Sequence, residues 1–129
     1  LSGMLVRIFL IAVSLSFVAF GVWALFDPAA LGRSLGIDFA GANGIYEARG
    51  IYGGVSLGVA ALTAAGAART GMTRPALWFI VTYMGGYVFA RIAGLLLGDT
   101  PTSSFLLFTL FESTCLVLAA LALRNLRTK

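Results

Sequence analysis

The chain has 129 residues, of which 60% are hydrophobic and only 11% are charged, with a net charge of +4. A soluble domain of this length could not bury so much apolar surface, because a small domain hides only part of what its unfolded chain exposes. There is no histidine and a single cysteine, Cys115, which excludes disulfide scaffolds, CxxC redox pairs and zinc sites; the basic residues sit at segment ends without aromatic interleaving, which excludes a nucleic-acid surface.

Leu1, Ser2 and Gly3 precede Met4 and are expected to be a cloning remnant, leaving residues 4–129 as one domain. Four apolar stretches then approach the roughly 20 residues needed to cross about 30 Å of hydrocarbon. They run from about Leu5 to Phe26, Ile45 to Ala68, Ala76 to Leu97 and Phe105 to Leu123. The first is too long for a signal-peptide core and reads as a span. Asp27-Pro28 ends it, and the connection from Ala29 to Gly44 is expected to lie on the membrane surface or to cap the bundle. Arg69 to Pro75 reads as a tight basic turn, with Pro75 in the first turn of span three. Gly98 to Ser103 forms the last turn, with Ser103 or Ser104 as a cap for span four. The fold class is therefore all-α, an integral membrane four-helix bundle.

The basic residues orient it. With a cytoplasmic N-terminus, Arg7, Arg69, Arg74, Arg124, Arg127 and Lys129 fall inside and only Arg33 outside, so both termini are expected in the cytoplasm. The expected location is the bacterial inner membrane, as a multi-pass protein. Small residues recur every four positions, at Gly50, Gly54 and Gly58 in span two and at Gly86, Ala90, Gly94 and Gly98 in span three. Such stripes let helices approach closely in lipid. Packing within the chain is the first expectation for them, and a homo-oligomer interface is the alternative.

Glu47, Arg49, Arg91 and Glu112 interrupt the apolar spans. An ionisable residue at mid-membrane costs a few kcal/mol on insertion scales, so each is expected to face the interior and find a partner. With about 1.5 Å of rise per residue, all four fall in the outer half of the bilayer, within about 12 Å of one level. Span three repeats Tyr83, Tyr87 and Arg91 on one face, and Tyr52 shares a face with Arg49. Glu47 and Arg49 lie about 200° apart around their helix and cannot both point at one partner. A short turn makes spans three and four antiparallel neighbours, so Arg91 is expected to pair with Glu112. Glu47 then completes the cluster, and Arg49 reaches toward the outer surface. Trp23 and Trp78 read as interface anchors, and the phenylalanines as core or lipid-facing.

The string from Asn43 to Gly54, with its N-x-x-x-E-x-R-x-x-Y-G-G pattern, resembles a family of small bacterial four-span membrane proteins catalogued only as a domain of unknown function. Arg91 late in span three and Glu112 in span four match that family's remaining features. The resemblance covers nearly the whole chain and implies an architecture without an activity. At the level of fold the layout is also similar to DoxX-like four-helix membrane proteins.

Glu47, Arg49, Tyr52, Tyr87, Arg91 and Glu112 are thus the candidate site. Its expected role is binding, or transporting, a small amphiphile or lipid head group, with Arg pairing an anionic group and Glu a cation or proton. No cofactor or metal is implied. A small enzyme on lipophilic substrates, like the four-span trimeric enzymes that use glutathione, is one alternative, although no nucleophile-base pair is evident. An oligomeric exporter or channel is disfavoured by the arginines. A structural subunit, whose ion pairs only fix helix packing, is the remaining alternative.

Overall fold

The computed structural model describes residues 3–127. Leu1 and Ser2 of the expected remnant, and the basic Lys129, lie outside the described residues. The elements in chain order are α1 (Gly3–Phe26), α2 (Pro28–Leu35), α3 (Gly41–Ala48), a π-helical segment (Arg49–Gly54), α4 (Val55–Ala68), α5 (Thr70–Leu96) and α6 (Ser103–Arg127). α3, the π segment and α4 run on as one rod, so the fold is all-α with four helices long and apolar enough to cross a membrane.

Each connection has a local cause. Asp27 caps α2 by accepting a hydrogen bond from the Ala30 N–H at 3.1 Å, and Pro28 opens the helix. α2 ends on Gly36 at φ 73°, where the Gly36 N–H bonds Arg33 O and the Ile37 N–H bonds Gly32 O. This is a Schellman closure, and its hydrophobic partners Ile37 and Leu31 pack in one cluster. The α5–α6 turn repeats the device, with Gly98 at φ 101° and the Asp99 N–H bonded to Gly94 O at 2.9 Å. Only glycine adopts these left-handed positions without strain.

The α4–α5 turn is shorter than the sequence suggests. α5 begins at Thr70, Arg69 alone is extended, and Pro75 sits inside the helix. The Thr73 hydroxyl donates to Gly66 O at 2.7 Å across the turn, which tightens it and lets the helix start early. Pro75, the sixth residue of α5, lacks the N–H that would bond Gly71 O, so the second turn of the helix gives up one backbone bond.

The π segment is the second departure. Three glycines in Arg49–Gly54 weaken the local α preference, and the Val55 N–H reaches back five residues to Gly50 O. The inward positions therefore step by five from buried Ala48 to buried Gly53, then resume helical spacing at Ser56, Ala60 and Thr63.

α1 packs on α4, α4 on α5 and α5 on α6, whereas few backbone approaches join α6 to α1. One end of the bundle is closed by Val6, Leu10 and Val13 of α1, Ala76, Leu77 and Ile80 of α5, and Cys115, Ala119 and Ala122 of α6. At the other end α2 lies across as a cap through Leu31 and Leu35, against Phe20, Tyr52, Phe105 and Phe108. The close helix approaches use glycines outside the expected stripes. A Cβ on Gly21 would sit 3.0 Å from Gly53 O, and one on Gly66 would sit 2.6 Å from the Ala76 Cβ. Gly58 and Gly86 have nothing within 4 Å of a Cβ, and Gly50 and Gly54 are exposed. Helix packing within the chain does not use the span-two stripe, whose glycine face the π segment turns outward, and in the span-three stripe Gly94 makes room for the Asp99 side chain of its own turn.

Candidate functional site

Arg91 and Glu112 meet as expected. Arg91 Nε donates to Glu112 Oε1 at 3.1 Å, and Nη2 donates to Oε2 at 2.9 Å, a two-point fork. The Glu112 side chain is 6% exposed and that of Arg91 30%. The α5–α6 turn makes these helices antiparallel neighbours and so sets the pairing. The guanidinium lies 5.2 Å from the Tyr87 ring centroid and 5.5 Å from that of Phe105, within cation–π range of both.

The pair forms part of the wall of a cavity of about 620 Å³ under the α2 cap, within the usual range for ligand pockets. α1 contributes Phe17, Phe20 and Trp23, the π segment Tyr52, α5 Tyr83 and Tyr87, and α6 Phe105, Phe108 and Phe111. The rings form two groups, one around Phe20 and one around Tyr83, and the Arg91 guanidinium lies against a ring of each. Phe20 stands 5.9 Å from Tyr52 and 5.7 Å from Phe108, and Tyr83 is 5.2 Å from Tyr87. Few backbone approaches join α1 and α6, and the cavity lies where their aromatic side chains, Phe20 with Phe108 and Phe17 with Phe111, bridge the wider spacing. Exposed Ser16 and Trp23 on α1 and exposed Leu107 on α6 are among its lining residues.

A smaller cavity of about 340 Å³ lies beside the α5–α6 turn, lined by Gly94, Asp99, Thr100 and Thr109. Arg91 lines both, so its guanidinium stands between the aromatic cavity and the Asp99 side.

Of the six candidate residues, Tyr52, Tyr87, Arg91 and Glu112 line the aromatic cavity. Glu47 and Arg49 do not. Glu47 is exposed, so it does not complete the Arg91–Glu112 cluster. Arg49 is also exposed and donates from Nε to Leu25 O at 2.9 Å, tying the π segment to the last turn of α1. There it satisfies a carbonyl that the helix end leaves open and complements the helix dipole.

The sequence reading missed the aromatic walls. Phe17, Phe20, Phe105 and Phe108, passed over as core or lipid-facing, are cavity lining, and so is Trp23. One signal was present: Phe105, Phe108 and Glu112 recur at spacings of three and four and so share a face of α6.

Comparison with known proteins gives a family but no activity. No curated protein and no solved structure matches the chain, and nothing in the comparisons bears on the looser likeness to DoxX-like proteins. A family model described as "Domain of unknown function (DUF4345)" matches residues 5–123, from the start of α1 to near the end of α6 and so across every element that builds the cavity. This multi-pass, four-helix membrane chain belongs to that family.

Proposed function

We propose that the aromatic cavity binds one small membrane amphiphile, with its head at Arg91 and Glu112 and its chain along the phenylalanine wall. The observation that carries this reading is the cavity of about 620 Å³ with a buried two-point ion pair in its wall. Ionisable residues inside a span are costly, and by default mark a functional site. The wider spacing of the α1 and α6 backbones gives such a molecule a lateral entry from lipid, past the aromatic side chains that bridge it. With the basic residues inside, the cavity lies toward the outer face of a bacterial inner membrane. The same portal serves simple binding or one stage of transport.

Trp23 supplies the test, because it lines the cavity while Trp78 does not. Protein carrying Trp78→Phe is titrated in detergent with a brominated single-chain amphiphile, beside protein carrying Trp23→Phe. Saturable quenching of Trp23, with weak linear quenching of Trp78, is the expected result. Equal, linear quenching of both would mean that the probe only partitions into the micelle, and would contradict a site.

A second reading is favoured by one observation: both carboxylate oxygens of Glu112 are engaged, as in a purely structural lock between helices. On that reading Trp23 quenches no more than Trp78.

A further inference from the structure

The cavity is occupied on its charged side before any ligand arrives. Two N–H groups of Arg91 already hold both oxygens of Glu112, and the carboxylate is nearly fully buried. The wall of the aromatic cavity therefore carries one positive and one negative charge, neutralised at hydrogen-bond distance. Asp99 lines the adjoining smaller cavity that Arg91 shares. An incoming anion would meet a guanidinium whose charge Glu112 already neutralises, with the Glu112 carboxylate beside it to repel a second negative group. An incoming ammonium group would meet Arg91 and find the carboxylate of the cavity already used.

What remains open to a ligand is a set of donors. The guanidinium N–H groups outside the fork are available, and the phenol groups of Tyr52 and Tyr87 line the same space. The surrounding walls are aromatic and suit a flat or chain-like apolar body. We infer that the occupant of this cavity is an uncharged lipophile whose head accepts hydrogen bonds, such as a carbonyl group, and that it is not a fatty-acid or phospholipid anion. This rests on the reading of the cavity as a binding site and adds the chemical class of its ligand. Glu112 is then the residue that excludes anions, by holding the arginine that would otherwise attract them.

The test is competition by native mass spectrometry of the detergent-solubilised protein against four probes of equal chain length: methyl dodecyl ketone, tetradecanoate, tetradecylamine and tetradecane. The wild type is expected to take the ketone about tenfold more tightly than each of the others. Glu112→Gln frees the guanidinium and is expected to bring tetradecanoate to at least parity with the ketone. Where that variant fails to fold, the double variant Arg91→Met, Glu112→Leu removes both charges together, and is expected to reduce the ketone's advantage over tetradecane to within about twofold. A wild type that prefers tetradecanoate or tetradecylamine, or holds tetradecane as well as the ketone, would overturn the assignment of ligand class while leaving a binding cavity. A wild type that binds none of the four, with Trp23 unquenched by the brominated amphiphile, would overturn the cavity as a site as well.

Discussion

At the scale of single residues, the four intramembrane charges divide into two kinds. Arg91 and Glu112 neutralise each other in the cavity wall, whereas Glu47 and Arg49 are exposed away from it, Arg49 closing a helix end. Their substitutions separate accordingly. Glu112→Gln leaves a partly buried guanidinium without its carboxylate and is expected to destabilise the bundle by about 2 kcal/mol, less than a fully buried pair would lose because Arg91 retains some access to polar surroundings. Paired replacement by Arg91→Met and Glu112→Leu is expected to be near neutral, and unfolding in mixed micelles compares the two. Arg49→Ala loses one hydrogen bond to a backbone carbonyl, worth about 1 kcal/mol, and leaves quenching of Trp23 unchanged. The Arg91–Glu112 pair was legible from the sequence, since a short turn dictates that α5 and α6 are neighbours. Arg49 was expected to reach away from the cluster and is exposed, but the place of Glu47 was not legible, because face assignments assume 3.6 residues per turn and Glu47 precedes a segment that departs from it.

At the scale of elements, all four spans were readable from hydropathy, and their ends were displaced by local chemistry that hydropathy does not encode. The Thr73 hydroxyl draws the start of α5 six residues ahead of the expected Ala76. The cap made by α2 was one of two expected roles for the α1–α3 connection, and Leu31 and Leu35 decide it by packing against Phe105 and Phe108. Glycine stripes proved a poor guide to contact. They count spacing alone, whereas contact depends on which way the π segment turns the helix. The glycines therefore make a contrast that stability measurements can read. Gly66→Ala would drive its Cβ into the Ala76 Cβ, which is fixed to the backbone, and is expected to cost about 1–3 kcal/mol. Gly58→Ala meets open space and is expected to be neutral or to stabilise by up to about 1 kcal/mol through helix propensity.

At the scale of the whole molecule, the bundle is closed at one end by a shared apolar core and covered at the other by α2, and the cavity is the space where the backbones of α1 and α6 stand apart and aromatic side chains bridge them. The binding role expected of Arg91 and Glu112 called for a space beside them, but its aromatic walls come from all four spans at once and a sequence read helix by helix did not bring them together. The account stands on that void holding a molecule. Native mass spectrometry of the protein purified from membranes, wild type beside Arg91→Ala and Glu112→Gln, tests this most directly. The prediction is a wild type that carries a co-purifying small molecule or lipid, which Arg91→Ala loses and Glu112→Gln exchanges for an anionic one, while the helical content of both variants is unchanged. A wild type of bare chain mass, with variants that only unfold or change their oligomeric state, would contradict the account and leave the ion pair as a lock between helices.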